Sequence, residues 1–437
     1  MDEKEKENIP EEPTLGHAAP GELFRLHRHL SWKYIRGFAT LIVVGLILGV
    51  IGGLVGTAFC YALRFAANTR AGNPWLVYLL PLGGLAIVWL YSQKGLRPTD
   101  TNGVLLAIHT PSRVPFATAP LIFISTAITH LLGGSAGREG AALQLGGVLG
   151  YHFGKLCKLN ERDSHLVVMA GMSAVFAALF GAPLTAAIFA IEVASVGILH
   201  FSGIVPCLTA SLTANYIANA LGASAESFPL SDISAFTFSQ IGSVMLIAAV
   251  CAVISIVFCV SLKHMHYFAA KKIPDPYWRV FIAGCAVVLL TVILGTNDYN
   301  GAGMDVISRA MDGVARPEAF LWKLLFTVIT MSCGYKGGEI VPAMFIGATL
   351  GCTLGNLLGL APGLGAAVGL VCMFCGSLNC PISAIFLGVE LFGAANLYFF
   401  AIAAAISYML SANFGLYREQ KIVYSKIKPK FINRYTD

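Results

Sequence analysis

The chain has 437 residues, 56% of them hydrophobic and 12% charged, with a formal net charge of +6 and a mean hydropathy of +0.72. A soluble domain carries about 25% charged residues, so this chain has too little polar surface to cover a water-soluble globule. That balance excludes an ordinary cytosolic protein, points to a surrounding of membrane lipid, and, because the positive charge gathers in the two flanks, argues against a nucleic-acid partner.

Taken in chain order, residues 1–35 read as a tail. Met1–Pro20 is rich in Glu, Lys and Pro, has no apolar periodicity and reads as disordered. Arg25, Arg28, Lys33 and Arg36 then precede an apolar stretch too long for a signal peptide, which places the N-terminus in the cytoplasm. Apolar stretches follow at Gly37–Leu63, Trp75–Tyr91, Val114–Leu132, His165–Phe180, Leu184–Leu199, Ile241–Leu262, Val280–Leu294, Leu321–Met331, Ile340–Leu360 and Leu397–Leu410. Several reach the ~20 residues that span about 30 Å of hydrocarbon. Others, such as Val104–Ile108 and Leu321–Met331, are too short and suit half-helices that stop inside a membrane beside a polar cavity. The expected fold is all-α, multi-pass and integral to the cell's inner (plasma) membrane. Lys421, Lys426, Lys428, Lys430 and Arg434 put the C-terminus in the cytoplasm too, with 425–437 as a basic tail.

The sequence repeats itself at a separation of about 200 residues. Pro183-Leu-Thr-Ala-Ala-Ile-Phe-Ala-Ile-Glu192 matches Pro381-Ile-Ser-Ala-Ile-Phe-Leu-Gly-Val-Glu390, and the run from Gly137 to Gly150 matches the run from Gly338 to Gly351. The short segments after Asn102-Gly103 and Ala302-Gly303 pair more weakly. These matches divide the chain into a first membrane repeat, 36–222, a linker, 223–235, and a second repeat, 236–424. Transporters built this way bind substrate near the midplane, where broken helices of both halves meet.

Each repeated motif opens a helix with small residues. A helix start exposes unpaired N–H groups and the positive end of a dipole, which is an anion site. Gly133-Gly-Ser-Ala-Gly137 and Gly337-Gly338 let backbone approach a ligand closely. The expected anion donors are therefore the backbone at Gly137, Arg138, Gly140, Ile340 and Val341. Glu139 and Glu339 stand at the same helix starts, and a carboxylate there is a tethered competitor for the anion whose protonation frees the site. Glu192 and Glu390 recur behind Pro in both repeats and read as structural carboxylates that bond backbone N–H groups at the repeat interface. Cys372-Met-Phe-Cys375 has no partner pair, so its thiols read as small apolar groups. No metal, cofactor or disulfide is implied.

Gly137-Arg-Glu-Gly140, Gly337-Gly-Glu-Ile-Val-Pro342 and Gly415-Leu-Tyr417 resemble the CLC family of chloride channels and anion/proton antiporters, over essentially Arg36–Tyr424. The resemblance implies inverted repeats and a homodimer with one pore per subunit. It also implies an external gating role for Glu139 and a pore hydroxyl at Tyr417. The family's Gly-Ser-Gly-Ile-Pro loop reads Thr101-Asn-Gly-Val-Leu105 here, with Asn102 in the place of the selectivity serine. The family's internal proton glutamate is replaced by Val193, and the usual Gly-Ile-Phe-Ala-Pro loop carries Glu339. This combination is similar to the bacterial fluoride/proton antiporter branch, whose best-described members have methionine at the Asn102 position and threonine at the Val341 position. The implied activity is proton-coupled fluoride export.

Two rival readings remain at this point. One is a chloride channel or chloride/proton antiporter of the same fold. The other, of a different class, is an intramembrane serine hydrolase, because Gly133-Gly-Ser135-Ala-Gly137 fits the G-x-S-x-G pattern with His130 nearby.

Overall fold

The computed structural model describes residues 20–93, 100–109, 114–223, 227–230, 236–428 and 430–437. The chain divides into two compact units, Met1–Val43 and Val44–Asp437. Helix α1, Pro20–Gly72, runs through the described part of the first unit and into the second. This corrects one expectation: Pro20–Ile35, read as tail, is helical and continuous with the apolar run that follows in α1.

Within the second unit the elements form two matching series. The first series continues with α2 (Leu80–Ser92), α3 (Thr101–His109), α4 (Thr118–Leu131), α5 (Glu139–Leu156), α6 (Glu161–Phe180), α7 (Pro183–Glu192) and α8 (Ile204–Ala220). The second is α9 (Phe238–Lys272), α10 (Pro276–Leu294), α11 (Met304–Met311), α12 (Ala319–Ser332), α13 (Ile340–Leu357), α14 (Leu364–Leu378), α15 (Pro381–Phe392) and α16 (Leu397–Leu410). Among the described residues, seven helical segments are long and apolar enough to cross a membrane. The nine residues of α3 and eight of α11 are far too few.

Local chemistry sets the breaks. Gly181 ends α6 at φ 72° and Pro183 starts α7 at its first turn. In the second series Asn379 ends α14 at φ 58° and Pro381 starts α15. A left-handed residue stops one helix and proline, which has no N–H to waste, opens the next. The core forms where helices of each half cross backbone to backbone. A Cβ on Gly146 would meet the Gly171 carbonyl at 2.2 Å, and one on Gly347 would meet the Gly369 carbonyl at 2.2 Å. Both α5–α6 and α13–α14 therefore cross at glycine in the same way.

The repeats interlock by exchanging caps. Glu192 at the end of α7 accepts from Ile382 N at 3.0 Å, Ser383 N at 2.8 Å and the Ser383 hydroxyl, all at the start of α15. Glu390 on α15 accepts from Leu184 N and Thr185 N at 2.8 Å and from Thr185 Oγ1 at 2.6 Å, at the start of α7. Each carboxylate thus satisfies donors that the other half's helix leaves unpaired. The structural reading of Glu192 and Glu390 holds.

The fold is an all-α membrane architecture of two inverted repeats, apart from a small three-stranded sheet. Strand β1 (Ser195–Val196) pairs in parallel with β2 (Lys421–Tyr424), and β2 pairs antiparallel with β3 (Phe431–Tyr435). Residues 425–437, expected as a basic tail, therefore include a paired strand. In the linker, Phe228 N and Leu230 N donate to Leu391 O and Phe392 O at the end of α15; 224–226 and 231–235 lie outside the described residues.

Candidate anion site

The two broken helices begin at one point. Gly137 N donates to Gly338 O at 2.7 Å and Gly338 N to Gly137 O at 2.8 Å, an isolated antiparallel bridge between the segments that lead into α5 and α13. A Cβ at Gly338 would lie 2.6 Å from Gly140 N, so the contact requires glycine. This bridge corrects one expectation. The Gly137 N–H is engaged by Gly338, so Gly137 shapes the site without donating to an anion. The N–H groups of Gly140, Ile340 and Val341 lie in first turns, where no intrahelical acceptor exists.

Glu139 and Glu339 flank the bridge. Glu139 is fully buried; its Oε2 accepts the Arg138 N–H at 3.0 Å, and its Oε1 lies 3.5 Å from Arg138 Nε. The carboxylate thus covers an N–H of its own helix start. A Cβ on Gly137 would sit 2.7 Å from Glu139 Oε2 and 3.1 Å from Val341 Cβ, which puts this carboxylate beside the first turn of α13. Conversely, Glu339 Oε2 lies 3.6 Å from the Cβ position of Gly140, beside the first turn of α5. Each glutamate faces the helix start of the opposite half.

A cavity of about 520 Å³ reaches this point past Asn102, Gly337, Glu339 and Tyr417. Tyr417 is 2% exposed, and its hydroxyl has no hydrogen-bond partner among the described residues. A buried donor without an acceptor is costly, so this hydroxyl is poised for a ligand. Asn102 is more constrained than its sequence position suggested. Its Nδ2 donates to Asp100 Oδ2 at 3.2 Å and its Oδ1 accepts from Glu419 N at 3.4 Å. One amide hydrogen remains for an anion. A second cavity, about 380 Å³, approaches from Arg138 and is lined by Arg64, Arg70, His130 and Asn300.

Sequence reasoning missed what holds the Gly133–Gly137 segment that leads into α5 in place. Along α12, Lys323, Thr327 and Thr330 follow i, i+4, i+7 spacing and are all fully buried. Thr327 Oγ1 bonds Ser135 Oγ at 3.0 Å, and Ser135 N donates to Thr330 Oγ1 at 3.2 Å. Lys323 Nζ donates to Tyr299 O at 3.2 Å and Gly301 O at 2.7 Å. The loop it holds is tied in turn to that segment, through Asn300 Nδ2 to Gly133 O at 2.9 Å and Gly301 N to Gly134 O at 3.1 Å. Polar side chains at one-face spacing in an otherwise apolar helix were the available signal.

These contacts also remove the hydrolase geometry. Ser135 Oγ pairs with Thr327, and His130 Nδ1 pairs with Thr126 O at 3.0 Å. Neither side chain is directed to the other. Val193 is fully buried, and its carbonyl accepts Gln420 Nε2 at 2.9 Å. An apolar side chain therefore stands where the resemblance placed the family's internal glutamate. Cys372 and Cys375 turn their thiols to the carbonyls of Ala403 and Ala404 on α16, consistent with packing groups.

Residues 83–412 match the sequence profile of the family described as "Voltage gated chloride channel". The chain is 30% identical over 415 residues to the "Chloride/fluoride channel protein" of Pseudomonas syringae pv. tomato, covering 93% of this chain and 92% of that protein. Its structure superposes on a "CLC-type fluoride/proton antiporter" with a TM-score of 0.84 and 33% identity, over 87% of this chain and 98% of the other. A slow cyanobacterial Cl−/H+ antiporter shares the fold at a TM-score of 0.70 and 18% identity, over 86% of this chain and 94% of the other.

Proposed function

Because the chain belongs to the voltage-gated chloride channel (CLC) family and is a CLC-type anion/proton antiporter, we propose that it exports fluoride from the cell in exchange for protons. The observation that carries this reading is the placement of Glu339. It lines the larger cavity with Tyr417 and lies beside the first turn of α5, while buried Val193 occupies the internal proton position. The relatives named for fluoride supply the substrate.

In this reading both termini are cytoplasmic, so the larger cavity opens to the cytoplasm and the Arg138 cavity to the outside. Fluoride loses its water to Tyr417 Oη, the remaining Asn102 amide hydrogen and the first-turn N–H groups of α5 and α13. Backbone dipoles bind without a full positive charge at the centre, which permits release. An external proton neutralises Glu139, which withdraws from the Arg138 N–H and leaves that donor to the anion. A carboxyl held away from water resists ionising, so one of the two holds a proton. Glu339 then takes the proton inward as fluoride moves outward.

The chemistry suits fluoride. Hydrogen fluoride is a weak acid that crosses membranes neutral and dissociates in a more alkaline cell. Fluoride is also the strongest hydrogen-bond acceptor among the halides, which matches a site built of N–H and O–H donors. The assembly is a homodimer in the plasma membrane with one pathway per subunit. Flux of fluoride and of chloride from liposomes holding the purified protein tests the proposal. Preference for fluoride with coupled proton uptake supports it; equal or greater chloride exchange assigns the protein to the chloride antiporters instead.

A further inference from the structure

The segment that carries Tyr417 is held by the C-terminal end of the chain. Tyr417 lies in a loop between α16 and β2, and no helix of its own fixes its aim. Leu416 N donates to Ser377 O at 2.8 Å, and Gly415 packs so closely that a Cβ there would meet Asn379 Nδ2 at 2.7 Å. The Tyr417 carbonyl accepts two bonds, from Gln420 N at 3.2 Å and from Thr436 Oγ1 at 2.6 Å. Thr436 N in turn donates to Gln420 O at 3.2 Å, and Asp437 N to Asn413 O at 2.9 Å. The last two residues of the chain therefore bracket the tyrosine on both sides.

Gln420 extends this bracket into the packed helical core. It is fully buried, its Nε2 donates to Val193 O at 2.9 Å and Leu378 O at 2.7 Å, and its Oε1 accepts Asn379 Nδ2 at 3.0 Å. Both polar atoms of its carboxamide are engaged. Lys426, between β2 and β3, locks the hairpin from outside through Tyr408 O at 2.9 Å, Ser411 Oγ at 3.0 Å and Asn379 Oδ1 at 2.5 Å. The network joins the ends of α7, α14 and α16 to one loop. The loop's single buried, unpartnered polar side-chain atom among the described residues is the Tyr417 hydroxyl.

We propose that Thr436 and Gln420 are positioning residues for anion binding: the C-terminal hairpin folds back as a strap that holds the Tyr417 backbone so that its hydroxyl points into the pathway. The proposal rests on the reading of Tyr417 as an anion donor. The strap acts on affinity, because it aims a donor and carries no proton. Loss of the Thr436 hydroxyl lets the tyrosine swing, and fluoride binding weakens while turnover at saturation stays close to that of the intact protein.

The test is a double-substitution cycle in liposomes, with KM and kcat for fluoride efflux measured for the intact protein, Tyr417→Phe, Thr436→Val and the two combined. Tyr417→Phe alone tests the underlying reading: an unchanged KM overturns it whatever Thr436 does. If KM rises in Tyr417→Phe, the strap predicts a roughly threefold to tenfold rise in Thr436→Val, the scale of one neutral hydrogen bond, and no further rise when the two are combined. Thr436→Ser, which keeps the hydroxyl, restores the intact KM. Equal effects of Thr436→Val with and without the tyrosine hydroxyl overturn the strap, as does an unchanged KM in Thr436→Val. Should Thr436→Val fail to elute as a folded species in gel filtration, Gln420→Met enters the same cycle under the same criteria.

Discussion

Glu192 and Glu390 differ from Glu139 and Glu339 in what surrounds them, although all four carboxylates lie within the repeats. Each member of the first pair accepts three hydrogen bonds from the opposite half, two of them from backbone. Glu139 instead accepts the backbone N–H of its own neighbour and lies against that neighbour's guanidinium. Glu339 lines a cavity. A carboxylate locked by three donors is fixed in place, whereas in the proposed mechanism one that covers a helix start exchanges places with an anion. The same residue type thus anchors the repeats where its partners are fixed, and in the proposed exchange it carries protons where they are not.

The sharpest way to break this contrast is to neutralise the gate. Glu139→Gln is expected to abolish proton-coupled transport, because the carboxamide covers the helix start without titrating. If the Glu139→Gln variant moved protons at the wild-type ratio, read by pH recording during fluoride efflux, the gate assignment would be contradicted. Next in size, Glu339→Gln should uncouple or stop exchange while the protein elutes as a folded dimer; robust coupled uptake would reduce Glu339 to a dipole partner of α13. By contrast, Glu390→Gln should leave coupling intact in the folded protein. Its cost falls on stability, about 1–3 kcal/mol for a buried donor left without its acceptor, measured as a lower midpoint of thermal unfolding in detergent.

How much of this contrast was legible in the sequence depended on how local its cause was. The repeat, the broken helices and the Glu192–Glu390 pair followed from Pro and Glu recurring in one register, a pattern carried by single residues. Glycine pairs forecast close backbone approach but not which N–H each would use, so the Gly137–Gly338 bridge came only with the fold. The Lys323–Thr327–Thr330 face of α12 and the strap on Tyr417 join residues far apart in the chain. Basic residues in and around β3 made its segment resemble a solvated tail. The sheet that β3 joins through β2 is anchored on β1, in the other repeat, and nothing near β3 in the chain encodes that partner.

Two smaller effects sharpen the account at its edges. Asn102→Ser should raise chloride permeation relative to fluoride by a few-fold, since a hydroxyl replaces an amide that Asp100 and Glu419 hold in place. An unchanged ratio would move selectivity to Tyr417 and the pore glutamates. Burial in the docked hairpin pulls the Lys426 ammonium from 10.5 down to about 8. Between those values the undocked hairpin holds more protons, so docking strengthens as pH rises through the window and weakens as it falls. A spin label at exposed Phe431 should lose mobility as pH rises from about 8 to about 10, and Lys426→Met should flatten that change.

The central claim is that fluoride leaving through this pathway drives protons the other way through Glu139 and Glu339. Purified protein in fluoride-loaded liposomes, followed at once with a fluoride electrode and a pH indicator inside the vesicles, tests it most directly. The account predicts that outward fluoride flow acidifies the lumen against an opposing proton gradient, and that Glu139→Gln removes the acidification. Fluoride efflux of normal rate with no movement of protons against their gradient would contradict it.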